Sequence, residues 1–236
     1  MDNTEPAEYP RCNDYLFMDN PTIKSHVIGM VLGDACIKES GNLSTSSISK
    51  AYVEWKKKIL ENLTDVTMRV ENVRESSFGK KPLYIATTRR HPLYSDLRMR
   101  MYHEGKRAVD EHIVKGLSPL GLLIWYLDDG CLDDACGIKM SIHSNRYSFA
   151  DHLIFQKQLY EKFGLHFKVR QVFKKQRMKR YCMLHLEAKS RLKFLNIIEP
   201  HLSEIPLDLR YKIPTKESVE LLTQSNKHKR FYKDIV

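Results

Sequence analysis

The sequence predicts an α+β fold of two pseudo-symmetric halves, each running α-β-β-α-β-β-α, with the helices on one face of an antiparallel sheet. Two apolar runs that end alike point to the duplication, because each is followed by the same succession of turn, strand and helix patterns. The runs are Ile28-Gly29-Met30-Val31-Leu32-Gly33-Asp34-Ala35-Cys36-Ile37 and Leu123-Ile124-Trp125-Tyr126-Leu127-Asp128-Asp129-Gly130-Cys131-Leu132. Both close on leucine, any residue, aspartate, a small residue, cysteine and an aliphatic, with Asp34 and Asp129 a domain-sized interval apart. Two copies, not many, mean a doubled unit and not a solenoid.

Each element follows from its local pattern. Val27 to Leu32 is apolar on nearly every side, as a buried helix is. A turn at Ser40-Gly41-Asn42 precedes a short strand from Leu43 to Ser49. Tyr52, Trp55, Ile59 and Leu63 recur near helical spacing and predict a helix over Ala51 to Asn62. Strands at Val66 to Val73 and Leu83 to Thr88 flank the turn-prone Ser76-Ser77-Phe78-Gly79. A helix over Pro92 to Tyr102 completes the half, with proline in the tolerated first turn. In the second half the apolar helix is Leu122 to Leu127, and a turn is expected near Asp133 to Gly137. Ile138 to His143 alternates apolar and polar residues as a strand. A helix follows over Phe149 to Phe163, with Gly164 as its stop. Strands near His166 to Phe173 and Tyr181 to Glu187 precede a last helix from Ser190 to about Ile198, before Pro200.

Composition narrows the function. The chain has 236 residues, 42% of them apolar and 10% aromatic, enough for a real core. Its formal net charge of +10 fits a polyanionic partner, since phosphates are neutralised by Lys and Arg. Five cysteines at Cys12, Cys36, Cys131, Cys136 and Cys182 form no disulfide framework and no familiar zinc set. An intracellular, reducing setting is expected (cytoplasm, nucleoid or organelle matrix). Met1 to Asn20 is acidic and polar, unlike a secretory signal or a transit peptide. No Gly-rich phosphate loop or nucleophile-triad signature marks a small-molecule enzyme.

The aspartates carry the chemistry. Gly29 and Gly33 are four apart and share a helix face, which lets another helix approach closely. Asp34 then lies at the C-terminal end of its helix, where the dipole is already negative, and needs a compensating cation. The same holds for Asp128 and Asp129. If the two apolar helices pack in parallel, the carboxylates meet, which is unfavourable without a cation. Hard oxygen donors open to water favour Mg²⁺, an ion suited to phosphodiester hydrolysis.

Both runs resemble the LAGLIDADG motif of homing endonucleases. Gly29 matches the motif's first glycine, Asp34 its acidic eighth position and Ala35 its ninth; Asp129 and Gly130 match the eighth and ninth in the second copy. The copies depart from the consensus at Leu32 and Gly33, and at Ile124, Trp125 and Asp128. The resemblance spans about Ile23 to Thr215 and is to single-chain members with two motifs. It implies an N-terminal extension at 1–22, repeats at 23–116 and 117–215, and a basic tail at 216–236. It further implies a monomer with motif helices between the halves and a DNA-binding saddle of two sheets. Asp34 and Asp129 are then catalytic acids sharing two or more Mg²⁺ ions, and both DNA strands are cut to leave 3′ overhangs. Members also carry a basic residue near the end of each half. Lys212, before an aliphatic-proline pair, matches it in the second; Lys106 is the first-half candidate, with Arg107 as the alternative because the proline is missing.

Candidate contacts to double-stranded DNA follow from strand alternation. His166 to Arg180 holds Lys168, Arg170, Lys174, Lys175, Arg177, Lys179 and Arg180 and no acid. Alternation places His166, Lys168 and Arg170 on one face, suited to a major groove. Lys139, Ser141 and His143 form a second polar face, and Arg69 with Glu71 a third. The basic run Lys227 to Lys233 is a candidate for phosphate contacts. The competing reading is a non-cleaving nucleic-acid-binding protein of the same fold, a regulator or an intron-splicing maturase with intron RNA as a partner.

Overall fold

A computed structural model describes residues 21–71, 81–110, 112–133, 138–174 and 179–222. The first half runs α1 (Pro21–Leu32), β1 (Cys36–Ile37), β2 (Asn42–Ser47), α2 (Lys50–Leu60), β3 (Val66–Glu71), β4 (Leu83–Arg90) and α3 (Pro92–Met101). A small hairpin, β5 (Tyr102–His103) and β6 (Lys106–Arg107), and a 3₁₀ turn (Val114–Gly116) lead to the second half. There α4 (Pro119–Asp129), β7 (Gly130–Asp133), β8 (Lys139–Ile142), α5 (Phe149–Phe163), β9 (Phe167–Lys174), β10 (Lys179–Leu186) and α6 (Arg191–Ile198) repeat the order, before a 3₁₀ segment (Leu207–Lys212). Each half holds a four-stranded antiparallel sheet, in the orders β1-β2-β4-β3 and β7-β8-β10-β9. The α+β class, the doubled order and the motif helices at the interface are as the sequence predicts.

Local chemistry sets the boundaries. The Ser49 hydroxyl accepts the Tyr52 amide, so Ser49 caps α2 and β2 ends at Ser47, not at Ser49. His91 and Ser118 cap α3 and α4, each followed by proline in the first turn. Ser148 and Asp151 form a reciprocal capping box on α5, and Gly164 ends that helix with a left-handed φ of 61°. β9 begins at Phe167, one residue after His166, whose carbonyl still accepts the Glu187 amide just past β10 at 2.9 Å and whose ring packs on Tyr160 of α5, with centroids 4.7 Å apart. The basic tail from Lys227, the turns at Ser76 to Gly79 and near Asp133 to Gly137, and Lys175 with Arg177 lie outside the described residues, at least in part.

The interface of the halves is α1 against α4. A methyl on Gly29 would overlap the Gly121 carbonyl, and one on Gly121 would lie 2.6 Å from the Ser25 carbonyl oxygen. Further along, a methyl on Gly33 would collide with the Asp128 side chain. Contacts advance together on both helices, so the pair is parallel, backbone against backbone. Val27 to Leu32 and Leu122 to Leu127 are buried throughout. α4 anchors in its own half through Trp125 on Phe155 and Tyr126 on Phe194, at centroid distances of 4.9 and 5.1 Å. Outside the interface, α2 covers the first sheet and α5 the second.

Gly29→Leu should lower stability by about 1–3 kcal/mol or more, because the overlap is with backbone that cannot rotate away. Thermal unfolding measures it, and a melting temperature equal to the parent's would show that the helices do not touch at this point.

Candidate active site at the ends of the motif helices

The parallel pair delivers three carboxylates to one place. α1 ends at Leu32 and Asp34 sits in the turn beyond it, whereas α4 continues through Asp128 to Asp129. The difference comes from the residue before the motif acid, glycine in one copy and aspartate in the other. Asp128 points across the interface into the space that Gly33 leaves open. Its side chain is fully buried and bonded three ways. Oδ1 accepts Lys56 Nζ at 2.5 Å and the Tyr52 hydroxyl at 2.8 Å, and Oδ2 accepts the backbone N–H of Asp34 at 3.1 Å. Lys56 is as buried as its partner; it also donates to Thr45 Oγ1 at 3.2 Å and lies 4.3 Å from the centre of the Tyr52 ring. Asp129 turns instead to its own half, where the Ser144 hydroxyl donates to Oδ2 at 3.3 Å while accepting the Trp125 indole N–H at 3.2 Å. Asp34 is the most open of the three, with Arg146 3.9 Å away.

Two further cations close the helix ends. Arg107 donates to the carbonyls of Val31, Gly33 and Ala35 at the end of α1. Lys212 Nζ donates to the Leu127 carbonyl at 2.6 Å and reaches that of Asp128 at 3.5 Å. The two therefore hold equivalent places, each over the negative end of a motif helix. Of the two first-half candidates, Arg107 reaches the motif and Lys106 is exposed on the hairpin.

Burial pushes the Asp129 carboxyl up to about 7, with the charges of Asp34 and Asp128 next; Arg146 and the Ser144 hydroxyl oppose this less strongly. Asp34 is raised as well, by burial first and then by Asp128, against Lys56, Arg146 and Lys212. Lys212 is lowered by burial, with the three aspartates pulling it back up. Burial, and the three aspartates acting on one another, thus disfavour the charged forms of Asp34 and Asp129 despite the cations nearby. Among the described residues no three His, Cys, Asp or Glu side chains form a ready cation site.

The sheets turn outer faces of unlike chemistry to solvent. In the first, cross-strand neighbours put Cys36, Ser44, Thr87 and Thr67 side by side. Cys131, Ser141, His185 and Lys168 stand in the equivalent row of the second. Arg170, opposite Met183, extends that second face, as does Lys139, which pairs with Asp133 at 3.6 Å. His185 is lowered by burial first and then by Arg170, Arg191, Lys139 and Lys168 around it. Ser141 and His143 bond to each other at 2.9 Å, and Arg69 with Glu71 forms an exposed pair at 2.8 Å on the first sheet. Arg180 is exposed on β10, and Lys174 and Lys179 pair at the hairpin end of β9 and β10.

Tyr52, Lys56, Ser144 and Arg146 are site residues that the motif reading does not supply. Lys56 leaves one signal: it lies four residues after Tyr52 and four before Leu60, on the buried stripe of α2. A lysine there needs a buried acid.

Residues 24–194 match the LAGLIDADG DNA endonuclease family. The chain is 29% identical over 210 residues to the uncharacterized protein MJ1098 of Methanocaldococcus jannaschii, covering 86% of this chain and 78% of that one. It is 32% identical over 139 residues to the protein RecA of Mycobacterium gastri, covering 52% of this chain and only 31% of the relative. Among solved structures, the homing endonuclease I-WcaI bound to its DNA recognition sequence superposes with a TM-score of 0.68 at 19% identity, over 89% of this chain and 96% of that one. The N-terminal LAGLIDADG domain of DUF199/WhiA gives 0.50 at 14% identity, over 75% and 81%.

The raised carboxyls carry a pH signature. An aspartate held at about 7 when folded and near 4 when unfolded costs nothing below about pH 4. Its penalty grows up to about 7 and is complete above. Asp129→Asn should therefore raise the melting temperature of the metal-free protein more at pH 8 than at pH 5. An equal effect at both pH values would mean that Asp129 is not perturbed.

Proposed function

The chain belongs to the LAGLIDADG DNA endonuclease family, and we propose that it is a site-specific endonuclease that cuts both strands of duplex DNA at a long recognition site. The observation that carries this reading is the meeting of Asp34 and Asp129, one from each half, at the ends of paired helices. Carboxylates from both halves brought together at the paired helix ends favour a catalytic site over a binding surface alone.

The donor set fits Mg²⁺. Asp34 and Asp129 offer hard oxygens whose charge burial disfavours and a bound cation would favour, and two carboxylates suffice for an ion that keeps water and takes phosphate oxygens as further ligands. When bound there, Mg²⁺ supplies an activated water and neutralises charge on the phosphate and the leaving oxygen. The protein's own groups do the rest. Asp34 and Asp129 orient the reacting groups from either side of the interface. Lys212 and Arg107 hold positive charge over the helix ends, where they offset negative charge on the scissile phosphates. In this reading Arg107, not Lys106, is the first-half basic residue. Cleavage leaves short 3′ overhangs, as the resemblance implies.

The two repeats, 23–116 and 117–215, each lay a sheet along the major groove, so one chain acts as a monomer. The rows around Ser44 and Thr67, with Arg69 and Glu71, contact one half-site. Lys139, Ser141, His143, Lys168 and Arg170 contact the other, and Lys174, Lys179 and Arg180, with Lys175 beyond the described residues, are the candidates for its phosphate contacts.

Asp34→Asn and Asp129→Asn should each abolish double-strand cleavage of a plasmid carrying the site in Mg²⁺, while affinity for the same DNA stays within a few-fold. Cutting at the parental rate by either variant would dismiss the two-acid site. Neutralising Lys174, Lys175 and Lys179 together should weaken binding to cognate and scrambled duplexes alike. It should also flatten the dependence on salt by about 0.9 per lost phosphate contact. Arg170→Ala should instead lower discrimination at one or two base pairs, by about 1–3 kcal/mol. An unchanged salt slope in the triple variant would place the β9–β10 end away from DNA.

A further inference from the structure

We infer that Asp128, fixed by Lys56, reaches across from the opposite half to position the first catalytic aspartate, so that the two strand-cutting centres are mechanically unlike. The inference rests on the endonuclease reading and adds residues that the motif does not assign. The Asp128 carboxylate does not face the open site. It is buried, and its Oδ2 receives the Asp34 amide at 3.1 Å. That amide lies in the turn past the end of α1, between the amides of Gly33 and Ala35, which bond back to the carbonyls of Gly29 and Met30, and its acceptor is the Asp128 carboxylate. Lys56 at 2.5 Å and Tyr52 at 2.8 Å fix the other oxygen, so the acceptor cannot swing away. α2 carries both donors, α4 carries the acceptor, and the turn after α1 carries the group being held. Three elements thus determine where Asp34 sits.

Among the described residues no carboxylate from the first half serves Asp129 in the same way. The matching position in the first copy is Gly33, which has no side chain to send across, and Asp129 is held by Ser144 of its own half. A shift of about 1 Å in a catalytic group can cost about a hundredfold in rate. Loss of the pair should therefore slow the strand that depends most on Asp34 more than the other.

Lys56→Met alone strands a buried carboxylate and can unfold the protein, so the decisive variant is Lys56→Met with Asp128→Leu, which removes both charges and the acceptor of the Asp34 amide while keeping side chains of similar shape. On supercoiled plasmid with the cognate site and Mg²⁺, the parent should go to linear product. The double variant should accumulate nicked circles, with the ratio of the two strand rates changed about tenfold or more while its melting temperature stays near the parent's. A folded double variant that cuts both strands in the parental ratio overturns the inference. Hydrogen exchange at the Asp34 amide reads the pair without any cleavage: slow in the parent and about tenfold or more faster in the double variant. Equal exchange in the two also overturns it. A parent that cuts no site in a randomised library refutes the endonuclease reading, and the exchange measurement then decides the pair on its own.

Discussion

The site depends on how closely two helices approach. α1 and α4 touch backbone to backbone where Gly29 meets Gly121, and only at that separation can a side chain as short as aspartate cross from one helix end to the turn beyond the other. A side chain at the crossing would overlap backbone and force the helices apart. The apolar faces on both sides of the contact supply the drive to associate, and the glycines set the distance at which association stops. The location of the carboxylates is thus decided by residues that carry no functional groups.

Gathering three carboxylates in a half-buried place is costly, and the protein meets the cost with cations of two kinds. Lys56 is fully desolvated and matched to Asp128, an arrangement that contributes little net stability but is highly sensitive to loss of either partner. Arg107 and Lys212 act on backbone instead, satisfying carbonyls that the helices leave unpaired. Arg146, at 3.9 Å from Asp34 and half exposed, adds little. The buried pair matches the charge of Asp128 with Lys56, although that carboxylate still raises its two neighbours. The acids that remain, Asp34 and Asp129, are those left with raised carboxyls and access to solvent or their own half.

Much of this was legible in the residues. The duplicated run, the helix from Phe149 to Phe163 with its glycine stop, and the alternation of Ile138 to His143 are dictated by local pattern, and the structure follows them closely. β1 and β7 escaped placement because two to four residues are too few to show a period. The choice between Lys106 and Arg107 was undecidable in sequence, since adjacent strand residues point to opposite faces and register alone separates them. Lys56 was read past for a related reason. It stands in a run with Lys57 and Lys58, and only burial of the stripe it shares with Tyr52 and Leu60 separates it from its solvated neighbours. Its partner lies in the other half of the chain, and no local pattern reports a contact of that range.

Gly33 and Asp128 occupy matching positions in the two copies, and one fills the space that the other vacates. A self-complementary homodimer could not contain this arrangement, because a twofold axis puts the same residue on both sides. Two glycines would leave Lys56 without a partner; two aspartates would collide and repel. The lock can exist only where the copies differ, and a single polypeptide allows that difference: one half is free to supply the socket and the other the plug.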